Sequence, residues 1–226
     1  MTWGSQFLWV IYPYLILVIF LVGLYYRYQT DQFGWTAKSS EILEKKQLRV
    51  GSILFHIGIM LVLVGHIGGI LIPKAWVSAL GVDDHMYHLM AMSIGSVAGL
   101  MTLVGCIILV FRRLTNARVR RTSSFGDMLS IILLTLIVVA GMSATLFNMR
   151  GSVEFDYRET IGPWMRGVLA FRPDHTLMKE VPVIFKIHVI LGLSLFAVFP
   201  FTRLVHMLSM PITYLKRSYV LYRKRR

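Results

Sequence analysis

The stretch VGSILFHIGIMLVLVGHIGGILI, Val50 to Ile72, contains no Asp, Glu, Lys or Arg. Crossing a hydrocarbon core takes about 20 apolar residues of helix, so this segment is long enough to span a bilayer. In lipid the backbone must satisfy its own hydrogen bonds, which leaves only helices and closed barrels. The run is too long and too uniformly apolar for the alternating strands of a barrel. Its two ionisable side chains, His56 and His66, stand in the middle of this apolar surface.

Four more segments share its character: about Trp3 to Tyr26, Met86 to Phe111, Met128 to Met149, and Val181 to Met210, the last interrupted only by Lys186 and Arg203. The composition agrees. Of the 226 residues 56% are hydrophobic and 15% charged, where an ordinary soluble domain is about 25% charged. Mean hydropathy is +0.64, which excludes a disordered chain as well as a water-soluble one. The expected fold is an all-α integral membrane protein, five transmembrane helices in one bundle. Without a convincing repeat or linker, residues 1–226 read as one domain with a basic tail at about 212–226. Cys106 is the only cysteine, so a disulfide framework, a zinc ribbon and a self-contained iron–sulfur cluster are excluded within this chain.

The net charge of +13 is distributed unevenly. The first connection holds Arg27, Lys38, Lys45, Lys46 and Arg49, the third Arg112, Arg113, Arg118, Arg120 and Arg121, and the tail six more basic residues. The second connection has only Lys74, beside Asp83 and Asp84, and the fourth pairs its basic residues with as many acids. Basic loops on one side of a bilayer account for the excess better than nucleic acid does. The positive-inside rule puts the N-terminus outside and the C-terminus in the cytoplasm. The fourth connection, Asn148 to Glu180, is either a solvated loop or holds a short interfacial helix around Trp164, Val168, Leu169 and Phe171.

Four histidines lie inside apolar runs: His56 and His66 in the second span, His188 and His206 in the fifth. Ionisable groups within a membrane mark function by default. The two spans run antiparallel, so His66 matches His188 near the outer face and His56 matches His206 near the inner face. Spacings of about 15 Å and 27 Å at 1.5 Å per residue forbid one metal site using all four. A structural zinc wants three or four protein ligands, and each depth offers two. Haem needs two axial ligands and an apolar slot between helices. Two bis-histidine b-type haems stacked through the bundle are the expected cofactors, with His56, His66, His188 and His206 on iron.

Weaker signals surround these ligands. Gly51, Gly58 and Gly65 recur every seven residues, allowing close approach of a porphyrin or of another helix. Lys186 and Arg203 either pair with haem propionates or snorkel to the interface, and Arg112 joins them as a cofactor-binding candidate. Pro200 should kink the fifth span. His85 and His88 flank Tyr87 at the outer mouth of the third span, where they either receive protons from a quinol or mark the interface. The alternatives are a di-haem anchor of another respiratory enzyme, of formate dehydrogenase or hydrogenase type, and a haem-free transporter using intramembrane histidines.

The motifs Ile11-Tyr12-Pro13-Tyr14, Leu54-Phe55-His56-Ile57-Gly58-Ile59, Val64-Gly65-His66 and Phe199-Pro200-Phe201-Thr202-Arg203-Leu204-Val205-His206 resemble the gamma subunit (cytochrome b) of membrane-bound respiratory nitrate reductase, over nearly the whole chain. The resemblance implies an outer haem on His66 and His188 and an inner one on His56 and His206. It implies oxidation of a quinol (menaquinol or ubiquinol) from the membrane pool near the outer haem, at a site including Gly65 and His66. Electrons would pass to an iron–sulfur beta subunit and a molybdenum-containing alpha subunit on the cytoplasmic side, which reduces nitrate to nitrite. A lysine of the family's second connection lacks a counterpart here; Tyr87, beside His85 and His88, takes its place. The implied location is a bacterial or archaeal-type cytoplasmic (inner) membrane.

Overall fold

The computed structural model describes residues 3–31, 34–35, 40–150 and 155–209. The expected basic tail at about 212–226, like Lys38 and Glu154, lies outside them. Five helices are long and apolar enough to cross a membrane: Trp3–Thr30, Lys46–Leu71, Asp84–Thr115, Phe125–Arg150 and Val183–Phe201. With the short helices between them the elements are α1 (Trp3–Thr30), α2 (Lys46–Leu71), α3 (Lys74–Ala79), α4 (Asp84–Thr115), α5 (Ala117–Thr122), α6 (Phe125–Arg150), α7 (Ile161–Leu169) and α8 (Val183–Val198). No strand occurs among the described residues. The chain is a multi-pass, all-α membrane protein, as its apolar runs require.

Local chemistry sets the helix ends. Glu44 accepts from the backbone N–H groups of Gln47 and Leu48 at the start of α2, satisfying donors that have no partner within the helix. Asp83 does the same for α4 through Met86 N–H. Pro200 has no N–H to give. The last α-helix stops at Val198 and continues as two 3-10 turns, Phe199–Phe201 and Arg203–Leu208, around an extended Thr202. The proline therefore ends the α-helix rather than kinking it. The carbonyls left over at Pro200 and Thr202 are taken by the Arg27 guanidinium at the end of α1, at 2.7 and 2.8 Å.

The spans pack in the order α2, α4, α6, α8, α1. Glycine decides how closely α2 and α4 approach. A methyl on Gly105 would stand 2.5 Å from the Phe55 nitrogen, and one on Gly58 would stand 2.7 Å from the Thr102 nitrogen, so these backbones touch with nothing between them. Small residues are what permit such contacts in membranes. Gly51 and Gly58 thus serve packing against α4, whereas Gly65 has open space beside it. α2 packs mainly on α4, and α8 mainly on α6 and α1, although α2 and α8 are the two histidine-bearing spans. They are also the least enclosed of the five, with 11% of their central apolar 18-residue stretch buried against 22–33% in the others.

The fourth connection contains a helix and not simply a solvated loop. Ile161, Trp164 and Val168 of α7 turn inward and form the main buried cluster with Trp9, Met178 and Val181. Trp164 is fully buried, and its indole N–H donates to the Trp9 carbonyl at 2.9 Å. The sequence shows the aromatic residues but not their target, since Trp9 is on another span.

Candidate functional site

His56 and His66 sit on α2, His188 on α8, and His206 on the 3-10 turn that follows Pro200. The His66 and His188 rings have centroids 5.9 Å apart, and the His56 and His206 rings 6.3 Å apart. A metal–imidazole nitrogen bond is about 2.0 Å long, so two rings on opposite sides of one metal ion have centroids roughly 6 Å apart. Both pairs match that separation. Within α2 the two sites are about 15 Å apart at 1.5 Å per residue.

The hydrogen bonds fix the tautomer of each ring. Each histidine has its Nδ1 on a backbone carbonyl: His56 on Ser52 (2.8 Å), His66 on Val62 (2.8 Å), His188 on Ile137 (3.0 Å) and His206 on Arg203 (2.6 Å). A carbonyl oxygen only accepts, so each Nδ1 carries the proton and each Nε2 keeps its lone pair. Metal-ligating histidines are oriented in this way, the outward N–H fixing tautomer and ring direction. Among the described residues no three His, Cys, Asp or Glu side chains converge. Two ligands per depth suit a group that brings its own equatorial donors, and the apolar, loosely enclosed faces of α2 and α8 suit a flat hydrophobic one. The residues fit haem.

Charged groups close the His66 end of the bundle. Lys74 Nζ lies 2.8 Å from Asp84, 3.1 Å from Asp156 and 2.6 Å from Glu159. The hydrogen bonds that Lys74 donates to Asp84 and Glu159 raise its pKa above the usual lysine value, against the partial burial of the amine. Arg158 pairs with Asp84 and Asp156 at 2.9 and 3.2 Å, and its guanidinium lies 3.8 Å over the Tyr87 ring. Burial pushes the Asp156 carboxyl up, but the Arg158 backbone N–H and Lys74 outweigh it and hold the pKa below the ordinary range. This network joins the second and fourth connections. Lys74 and the balanced charges of the fourth connection are visible in the sequence; that they meet is not.

Tyr87 reaches α2 at Gly69, one turn beyond His66, and not at Gly65. A methyl on Gly69 would stand 2.8 Å from the Tyr87 hydroxyl and 2.9 Å from that of Tyr157, and the two hydroxyls are 3.3 Å apart. Burial, then the bond to Tyr87, raises the Tyr157 pKa, so the phenol stays protonated. This part of α2, Ile67–Leu71, is a π-helical turn, a form frequent at functional sites. His88 is buried beside Tyr87, and His85 is exposed. Tyr157 was not singled out by sequence; its only signal is a position among loop charges.

The three basic candidates are engaged with protein. Arg203 pairs with Asp127 and Lys186 donates to the Lys179 carbonyl at 3.1 Å. Arg112 is fully buried and bonds Ser40 and Glu44, fixing the first connection to α4. Burial raises the Glu44 pKa, and the Gln47 N–H and the Arg112 guanidinium more than reverse that.

Five membrane-length helices and two facing imidazole pairs at different depths define a multi-pass membrane protein. Residues 5–225 match the family described as nitrate reductase gamma subunit, and the chain belongs to that family. It is 53% identical to the nitrate reductase gamma chain of Bacillus subtilis (strain 168), over 98% of this chain and 99% of that one. Similarity to the respiratory nitrate reductase 2 and 1 gamma chains of Escherichia coli (strain K12) is 37% and 35%, over 98% and 100% of each chain. The protein is accordingly a membrane subunit of an oxidoreductase complex of the nitrate reductase type.

Proposed function

We propose that this subunit oxidises membrane quinol near the outer face and passes the electrons inward through two b-type haems. The observation that carries the reading is the pair of imidazole–imidazole separations, with the Nδ1 of every ring tied to a backbone carbonyl. Bound there, haem supplies one-electron acceptance and relay, which quinol chemistry requires because its two electrons leave singly. His66 and His188 would hold the outer group, His56 and His206 the inner. The distribution of Lys and Arg supports this orientation.

The chain's own residues shape the quinol end. Gly65 leaves the α2 surface open beside His66, while Tyr87 and Tyr157 present hydroxyls against Gly69, and His88 lies next to Tyr87. The Lys74–Arg158 network stands between this region and the outer water, where two protons leave per quinol. Electrons moving inward while protons leave outward separate charge, and each charge carried across 100 mV involves about 2.3 kcal/mol. The basic connections at the His56 end would dock an iron–sulfur beta subunit and, through it, a molybdenum-containing alpha subunit, with anionic lipid filling the remainder.

Reduced-minus-oxidised spectra of membranes holding the intact complex test this. Wild type should show two b-type components per chain. His66→Ala should lose the outer one and quinol-linked nitrate reduction. His206→Ala should keep quinol reduction of the outer haem and block delivery inward. Full quinol-dependent nitrate reduction in His66→Ala would sink the proposal.

A further inference from the structure

Three of the four facing histidines are oriented by their own segment. His56 and His66 bond carbonyls four residues back, at Ser52 and Val62, and His206 bonds Arg203, three residues back. His188 is different: its Nδ1 donates across the bundle to Ile137 on α6, 3.0 Å away. The ring reaches that carbonyl because Gly141, one turn further along α6, has no side chain. A methyl there would meet His188 Cε1 at 2.9 Å, Nδ1 at 3.2 Å and Nε2 at 3.6 Å, and its three nearest neighbours are all atoms of this ring. Real Cβ atoms do not approach that closely, and a packed imidazole between two helices has no free end to swing away.

We infer that Gly141 is a positioning residue for the outer redox centre: it admits the His188 ring to the surface of α6, where the Ile137 carbonyl fixes its rotation and its basicity. A span that contributes no ligand thereby tunes one of two otherwise similar sites. An outer-shell partner of this kind orients the ligand and adjusts the metal behind it. Glycine is a poor helix former compared with alanine, so its use here has a counterweight in the ring contact. The inference rests on the haem reading above.

The test is Gly141→Ala in membranes containing the whole complex, read by low-temperature EPR of the oxidised haems and by redox titration. The highest g-value and the midpoint potential of the outer haem should both move, and those of the inner haem should stay. Val139→Ala, on the opposite side of α6, should move neither. Two wild-type signals that Gly141→Ala leaves in place overturn the positioning role alone, whereas wild-type membranes lacking two low-spin signals overturn the haem reading and this inference with it. If Gly141→Ala abolishes assembly, the double variant with His188→Ala decides. Assembly restored to the level of His188→Ala alone assigns the defect to the ring, and continued failure assigns it to helix packing and refutes the inference.

Discussion

Arg203 and Asp127 meet side-on, Nε to Oδ1 at 2.6 Å and Nη2 to Oδ2 at 2.5 Å. The carboxylate belongs to the first turn of α6 and is buried; the guanidinium opens the 3-10 turn that carries His206. The same arginine accepts the His206 Nδ1–H at its backbone carbonyl. A charge on α6 therefore holds, through Arg203, the histidine that faces His56.

Asp127→Ala should release that turn. Arg203 would lose its bidentate partner and Arg113, 3.8 Å from the same carboxylate, would add repulsion. Breaking a buried pair costs about 3–5 kcal/mol; Arg203 is a quarter exposed, which puts the expected loss near the low end, about 2–3 kcal/mol. Thermal denaturation of the purified complex should show it, with the spectral component assigned to His56 and His206 disappearing first. Equal loss of both components would contradict this.

Gly105→Ala should weaken both depths together. Its new methyl would press on the backbone of Phe55, which cannot rotate aside, and α2 carries both His56 and His66. Overpacking of this kind costs typically about 1–3 kcal/mol. The contrast is Gly95→Ala, whose methyl meets nothing. Haem content per chain in detergent extracts should fall for the first and hold for the second.

The Lys74 network has a predictable response to pH. Asp156 has a folded pKa below its unfolded value, so its contribution is present above about pH 4 and is lost as pH falls through the lower folded value. Lys74 has a raised folded pKa, so its contribution is complete below about pH 10 and fades only above that. The link between the second and fourth connections should be level between those limits. Hydrogen exchange over residues 155–160 should be unchanged by this link from pH 5 to pH 8, apart from the intrinsic chemical trend, and should rise in Lys74→Met throughout that range. A step near pH 6 would point to a histidine in its place.

The five spans are legible in the sequence because lipid imposes one requirement over about 20 consecutive residues, and the depth matching of the four histidines follows from antiparallel direction alone. What the sequence withholds depends on azimuth and on loops. The heptad of Gly51, Gly58 and Gly65 reads as one stripe, yet two of its members face α4 and the third faces open space. Pro200 signals a disruption without saying whether the helix bends or ends; the Arg27 side chain, 173 residues away, stabilises the second outcome by donating to the stranded carbonyls. Arg112 looks like a candidate for an acidic cofactor group because it is basic and near a membrane face, but Ser40 and Glu44 claim all of its visible hydrogen bonds. Gly141 gives no signal at all, since a glycine in a span is ordinary until the neighbouring ring is seen.

The Arg27 clasp also imposes an order in time. Synthesis runs from the N-terminus at about 5–20 residues per second, so α1 must wait roughly ten to thirty seconds for the carbonyls it will grip. His188 leaves the ribosome before His206, and the partner of His66 is therefore in hand while His56 still faces nothing. The two depths are born in sequence, the one farther along α2 ahead of the other, and the bundle locks only once Pro200 and Thr202 have been made.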